Sequence, residues 1–153
     1  MSLLDALYQD AILEHYKKPR NHGALEPHHV REEGLNPSCG DEVTLYLTFD
    51  GDVVSAVSFE GDGCAISQAA ASMLTEAVKG ASVSQARALS ESFRAMLRGE
   101  EPAPQLGELA VLRGVARLPA RGKCAALPFT TLEEALRRAT QGGLVTSAGT
   151  EPS

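Results

Sequence analysis

Residues 42–59 constrain this chain more than any other stretch. Val43, Leu45, Leu47 and Phe49 alternate with Glu42, Thr44, Tyr46 and Thr48, the two-residue period of a strand with one buried face. Asp50-Gly51 is a favoured tight-turn pair, and Val53, Val54, Ala56, Val57 and Phe59 form the return strand up to Glu60. The hairpin carries reactive residues at its open end. Cys39 and Asp41 precede its first strand, and Cys64 follows its second across Gly61-Asp62-Gly63. With the turn at Asp50-Gly51, opposed residues have numbers adding to about 101. Residues 39–41 then approach residues 60–62, which carries Cys39 and Asp41 toward Cys64.

The flanking segments read as helices. Residues 2–18 follow a helical period through Leu4, Leu7, Ala11, Ile12 and Tyr16, with Ser2 as cap and Pro19 as stop. A weak strand signal lies near 29–35. Residues 64–79 form a helix whose buried face is Ile66, Ala69, Ala70, Met73, Leu74, Ala77 and Val78, ended by Gly80. Ser82 and Gln85 match a capping box for a helix over 83–98, with Ala86, Leu89, Phe93, Met96 and Leu97 inward. Glu100 to Pro104 is a solvated link, and 106–115 a short helix. Residues 118–128, which contain Cys124, read as irregular. Thr130 or Thr131 caps a last helix over 131–140, with Leu132, Ala135, Leu136 and Ala139 inward. The expected fold is α+β: an N-terminal helix, a small three-stranded antiparallel sheet, then helices packed on one face. One domain is expected over 1–140, with 141–153 a flexible tail.

Cys39, Cys64 and Cys124 are the only cysteines. With Asp41 they can supply the four thiolate and carboxylate ligands of a tetrahedral zinc site. Gly40 permits the backbone turn that lets Cys39 and Asp41 face one ion. A helix start favours the thiolate of Cys64, and Arg121 and Lys123 favour that of Cys124. Other readings stand beside this one. A cysteine taken alone is more often a small buried apolar residue, and there is no Cys-x-x-Cys pair. His28-His29 offer imidazoles from a polar loop, where solvation is the usual state. Lys17, Lys18 and Arg20 suit either an acidic partner or an ordinary helix C-terminus.

The formal net charge of −6 argues against nucleic acid as a partner. No apolar stretch reaches the length of a membrane span, and the first residues lack the charged and apolar regions of a secretory signal. A cytoplasmic location is expected, where cysteines serve metal, redox or nucleophile roles.

Five segments resemble the U-type iron–sulfur cluster assembly family, which includes IscU, SufU and the N-terminal part of NifU. They are Tyr16-Lys17-Lys18-Pro19-Arg20-Asn21-His22-Gly23, Asn36-Pro37-Ser38-Cys39-Gly40-Asp41, Phe59-Glu60-Gly61-Asp62-Gly63-Cys64-Ala65-Ile66-Ser67, Ser72-Met73-Leu74-Thr75-Glu76, and residues 119–128 around Arg121-Gly122-Lys123-Cys124. Lys123 stands where IscU-type members have histidine, and the interval from Cys64 to Cys124 is long, so the resemblance is to the SufU branch. Gly122 and Phe129 depart from the usual SufU pattern.

The resemblance implies zinc held by Cys39, Asp41, Cys64 and Cys124, and persulfide sulfur accepted from a PLP-dependent cysteine desulfurase of the SufS type. It implies Cys39 as the sulfur acceptor, freed when a desulfurase histidine takes its place on the metal, with Arg121 in a supporting role. Downstream Suf assembly proteins are implied as further partners. The motif that recruits a dedicated Hsp70-type chaperone to IscU is missing, so no such partner is implied. Two alternatives remain: a scaffold that builds a [2Fe–2S] cluster on the same ligands, and a structural zinc module for protein binding.

Overall fold

The computed structural model describes residues 10–37, 40–117 and 119–143. Helix α1 (Asp10–Lys17) is followed by strands β1 (Val30–Asn36), β2 (Asp41–Asp50) and β3 (Val53–Asp62). Then come helix α2 (Ala65–Val78), helix α3 (Val83–Leu97), a 3-10 segment η1 (Pro104–Arg117) and helix α4 (Pro119–Gln141). The sheet is antiparallel in the order β1-β2-β3. This is the expected α+β fold. The residues expected to begin the first helix, Leu4 and Leu7 among them, and most of the 141–153 tail lie outside the described residues.

The hairpin forms, but its register differs from the expected one. Leu45 pairs with Phe59 and Glu42 with Asp62, three positions further along the return strand. Two of those positions come from the turn itself: Asp50 pairs with Val53, so Gly51-Asp52 is the loop, and Gly51 adopts φ +61°. The third comes from a bulge beside Thr48/Phe49, which leaves Ser55 as the extra residue on β3. The bulge also explains the adjacent Val53-Val54 pair, because it shifts the alternation by one and turns Val54 inward, fully buried.

Val43, Leu45, Leu47, Phe49, Val54, Val57 and Phe59 face the helices. Helix α2 is buried over most of its circumference: Ala71, Ser72 and Thr75 join the expected Ile66, Ala69, Ala70, Met73, Leu74 and Val78. Ala77, expected inward, is exposed. The Ser82–Gln85 capping box of α3 is present in both directions. Phe93 of α3 stacks on Phe129 of α4, with ring centroids 3.9 Å apart.

The largest departure from expectation is α4. Residues 119–141 form one 23-residue helix that runs through Pro128, not an irregular segment followed by a capped helix. An interior proline costs about 3 kcal/mol. Here burial of Leu127, Phe129, Leu132, Ala135, Leu136 and Ala139 offsets it. Thr130 and Thr131 do not cap. Their hydroxyls donate back to the Leu127 carbonyl at 3.0 and 2.8 Å. Helix α4 lies across β1 at Gly34, where an added Cβ would overlap the Thr131 hydroxyl.

Pro19 to Gly23 form a strap. The Arg20 amide donates to Ser72 Oγ (2.8 Å), and the Asn21 side chain donates to Thr75 Oγ1 (3.1 Å) on α2. The Phe59 amide donates to the Asn21 carbonyl, and the Phe59 carbonyl accepts from the Gly23 amide. Asn21 takes the left-handed conformation at φ +53° to make this crossing.

Candidate metal centre

Asp41 opens β2 and is buried, with 2% of its surface exposed. The register places it level with Gly63, one residue before Cys64, closer than a turn at Asp50-Gly51 would bring it. Asp41 Oδ1 accepts the Cys64 amide at 3.0 Å, and Asp41 Oδ2 lies 3.8 Å from Cys64 Sγ. Gly63 makes this approach possible: a Cβ there would sit 2.5 Å from Asp41 Oδ1 and 2.7 Å from Ser67 Oγ. Gly40 adopts φ +75° and donates its amide to the Asn36 carbonyl at 2.8 Å, which ties the start of β2 to the end of β1. Cys39 itself lies outside the described residues.

Cys64 occupies the N-cap of α2 in extended conformation, and its thiol makes no capping hydrogen bond. Its carbonyl instead accepts from the Gln68 amide (3.1 Å) and the Ser67 hydroxyl (3.1 Å). The half-buried thiol is therefore not engaged in holding the helix start. Cys124 comes from the second turn of α4 and is buried. Ligand atoms of Asp41, Cys64 and Cys124 all lie within 4.8 Å of one another.

This donor set fits zinc. Tetrahedral zinc with Zn–S bonds near 2.3 Å requires donor atoms about 3.7 Å apart. The Asp41–Cys64 pair already has that spacing, and the group can close on an ion with sub-ångström side-chain movement. Two thiols and one carboxylate provide three of four ligands, and Cys39 is two residues from Asp41 in sequence. Lys123 is exposed beside Cys124. It lines a shallow cleft of about 240 Å3 with Leu35, Asn36, Pro37, Ala126, Leu127 and Thr130. The Arg121 side chain lies outside the described residues.

The remaining histidines do other work. The His29 Nδ1 accepts the Phe49 amide at 2.9 Å, and the His28 Nδ1 bonds the Leu25 carbonyl at 2.9 Å. His22 bridges to Phe59 and packs edge-on against its ring. One residue escaped the sequence reading. Tyr16 was expected inward but is 47% exposed, while His15 is buried. The signal for it is its spacing: His15 follows the buried Ile12 by three residues, on the same helical face.

Residues 7–125 match the NifU-like N terminal domain family. The chain is 43% identical to the zinc-dependent sulfurtransferase SufU of Bacillus subtilis, an alignment covering 92% of this chain and 95% of that protein. It is 42% identical to the iron–sulfur cluster assembly scaffold protein IscU of Streptococcus pyogenes, covering 90% of this chain and 87% of that one. A crystal structure from Fervidobacterium islandicum, described as a candidate iron–sulfur cluster assembly scaffold for the SUF system, superposes with a TM-score of 0.82 at 41% identity. That match covers 86% of this chain and 98% of the other. The chain belongs to the NifU-like N-terminal domain family.

Proposed function

We propose that this family member is an iron–sulfur cluster assembly protein that binds zinc through Cys39, Asp41, Cys64 and Cys124 and accepts persulfide sulfur from a PLP-dependent cysteine desulfurase. The observation that carries the reading is the convergence of Asp41, Cys64 and Cys124 from three separate elements, all within 4.8 Å. The zinc-dependent sulfurtransferase of Bacillus subtilis, which aligns along nearly the whole chain, supports the choice of metal and of chemistry.

Zinc bound here would hold the cysteines as thiolates and shield them from adventitious reaction. Cys39 is the acceptor. Its thiolate attacks the outer sulfur of the desulfurase persulfide. A new S–S bond forms on Cys39 as the desulfurase S–S bond breaks, and the electron pair leaves with the desulfurase cysteine as thiolate. No external oxidant or reductant is needed. Asp41 is tied at Oδ1 by the Cys64 amide, so Oδ2, 3.8 Å from Cys64 Sγ, is the oxygen that would ligate the ion. Arg121 and Lys123 offset the negative charge of a site with three thiolates and a carboxylate. The desulfurase is of the SufS type, the work is cytoplasmic, and no dedicated Hsp70-type chaperone takes part. Among the described residues no helix is long and apolar enough to cross a membrane.

Metal analysis of the purified protein, followed by incubation with desulfurase and cysteine and mass spectrometry, tests this reading. One zinc per chain and one added sulfur on Cys39 are expected. Zinc without added sulfur would leave only a structural module. The second reading, a scaffold for a [2Fe–2S] cluster, is favoured by the similarity to the Streptococcus pyogenes scaffold protein and by thiolate ligands that suit either metal. An iron–sulfur chromophore on anaerobic reconstitution, with no stimulation of desulfurase turnover, would establish it instead.

A further inference from the structure

We propose that His15, Glu76 and Glu108 form a second, nitrogen- and oxygen-ligated site for a divalent first-row metal ion, separate from the cysteine centre. Three elements converge there: α1 supplies His15, α2 supplies Glu76, and η1 supplies Glu108 just after a kink at Gly107. His15 is 98% buried, and its Nε2 emerges between the two carboxylates, 2.8 Å from Glu108 Oε1 and 3.7 Å from Glu76 Oε1. One donor atom from each residue lies within 4.8 Å of the other two. Pairing one imidazole N–H requires a single carboxylate. Glu76 Oε1 stands 3.7 Å off, beyond hydrogen-bond reach of that nitrogen, and the gap it leaves beside Glu108 is where a cation would sit.

The surroundings are those of a metal-binding histidine. Its other ring nitrogen, Nδ1, is 2.6 Å from Ser72 Oγ. In the metal-free ring Nε2–H can donate to Glu108 Oε1; metal binding would move the ring proton to Nδ1, donated to Ser72 Oγ, and free the Nε2 lone pair, the arrangement that outer partners impose on ligating histidines. Glu76 Oε2 faces Arg20 Nε at 3.9 Å, which leaves Oε1 for the site. The Arg20 guanidinium is held mainly by Glu14 Oε2 (2.9 Å) and the Lys18 carbonyl (3.0 Å). Two carboxylates and a neutral imidazole carry two negative charges, which a divalent ion neutralises.

Both glutamates are about half exposed and rim a cleft of about 280 Å3 with Met73, Ala77 and Gln105. Water can complete the coordination from that side. One imidazole with two carboxylates suits Mn²⁺, Fe²⁺ or Zn²⁺, and lacks the thiolates that distinguish the cysteine centre. Glu76 lies twelve residues beyond Cys64 along α2, so the two sites are about 18 Å apart by helical rise.

The test uses full-length protein loaded with one equivalent of zinc, so that the cysteine centre is filled. Mn²⁺ is added and free Mn²⁺ is read by electron paramagnetic resonance. Wild type should bind one further equivalent and show selective broadening of the His15 imidazole resonances by NMR. Glu76→Gln and Glu108→Gln, both at half-exposed positions, should each weaken that binding by at least about tenfold. An unchanged free-Mn²⁺ signal with wild type, equal binding by the glutamine variants, or His15 resonances left sharp would each overturn the proposal.

Discussion

The cysteine centre has two halves built by different means. Asp41 and Cys64 are brought together by the register of one hairpin, across a loop of two residues. Cys124 reaches them from the far end of the chain on α4, which is positioned by packing on β1 and α2. The first half is short-range and set by backbone hydrogen bonds. The second is long-range and set by apolar contact. The site is therefore no more stable than the docking of α4, however well the hairpin holds.

Removing a ligand from each half should separate the two most sharply. Cys64→Ser and Cys124→Ser should both fail to retain zinc through gel filtration. Their metal-free forms should differ in stability. Serine at the N-cap of α2 is a favourable capping residue, so Cys64→Ser should unfold in urea at or above the wild-type midpoint. Cys124 is 1% exposed, and a hydroxyl there should cost about 1–3 kcal/mol. Equal midpoints would erase the distinction. Gly34→Val attacks the long-range half alone. Its side chain meets Thr131 and Leu127, which should cost about 1–3 kcal/mol and weaken zinc, while amide exchange across the β2–β3 pair stays protected.

Gly63→Ala attacks the short-range half. Its Cβ would displace the Asp41 carboxylate and should lower zinc affinity by about 10–100-fold, with a smaller change in the unfolding midpoint than Gly34→Val. The smallest effect should come from the distal end of α4. Hydrogen bonding from Arg137 holds the Glu134 carboxyl below its ordinary value. A depressed carboxylate contributes stability above its unfolded pKa, near 4.3, and loses it as pH falls through the folded value. Both side chains are open to solvent, 41% and 52% exposed, so screening leaves little of it. Glu134→Gln should lower the melting temperature slightly at pH 7, by less and less as the pH falls through the folded value, and leave zinc content unchanged. A zinc loss in that variant would show that α4 transmits strain along its length.

The same division governs what the sequence reveals. Val43 to Phe59 announce their strands because a period of two and a Gly turn act locally. Their consequence, Asp41 near Cys64, follows from pairing alone. Only the bulge at Ser55 and the turn one residue later were hidden, since both depend on which of several near-equal registers buries Phe59 and Val54. Ser82 and Gln85 were equally legible, because a capping box is complete within four residues. Cys124 was not. Pro128 and Gly122 signal an irregular segment locally, and only tertiary burial of Leu127 and Phe129 overrides them. His15 failed for a related reason: its partners Ser72 and Glu108 lie 57 and 93 residues away.

The strap at Pro19 to Gly23 runs along the open edge of β3. A three-stranded sheet exposes two edges, and an open edge is a template for pairing with another chain. At Phe59 on β3, both backbone groups are already spent on Asn21 and Gly23. The outer rim of β3 is thereby closed to strand addition at Phe59, and a chain that lost the strap would expose it.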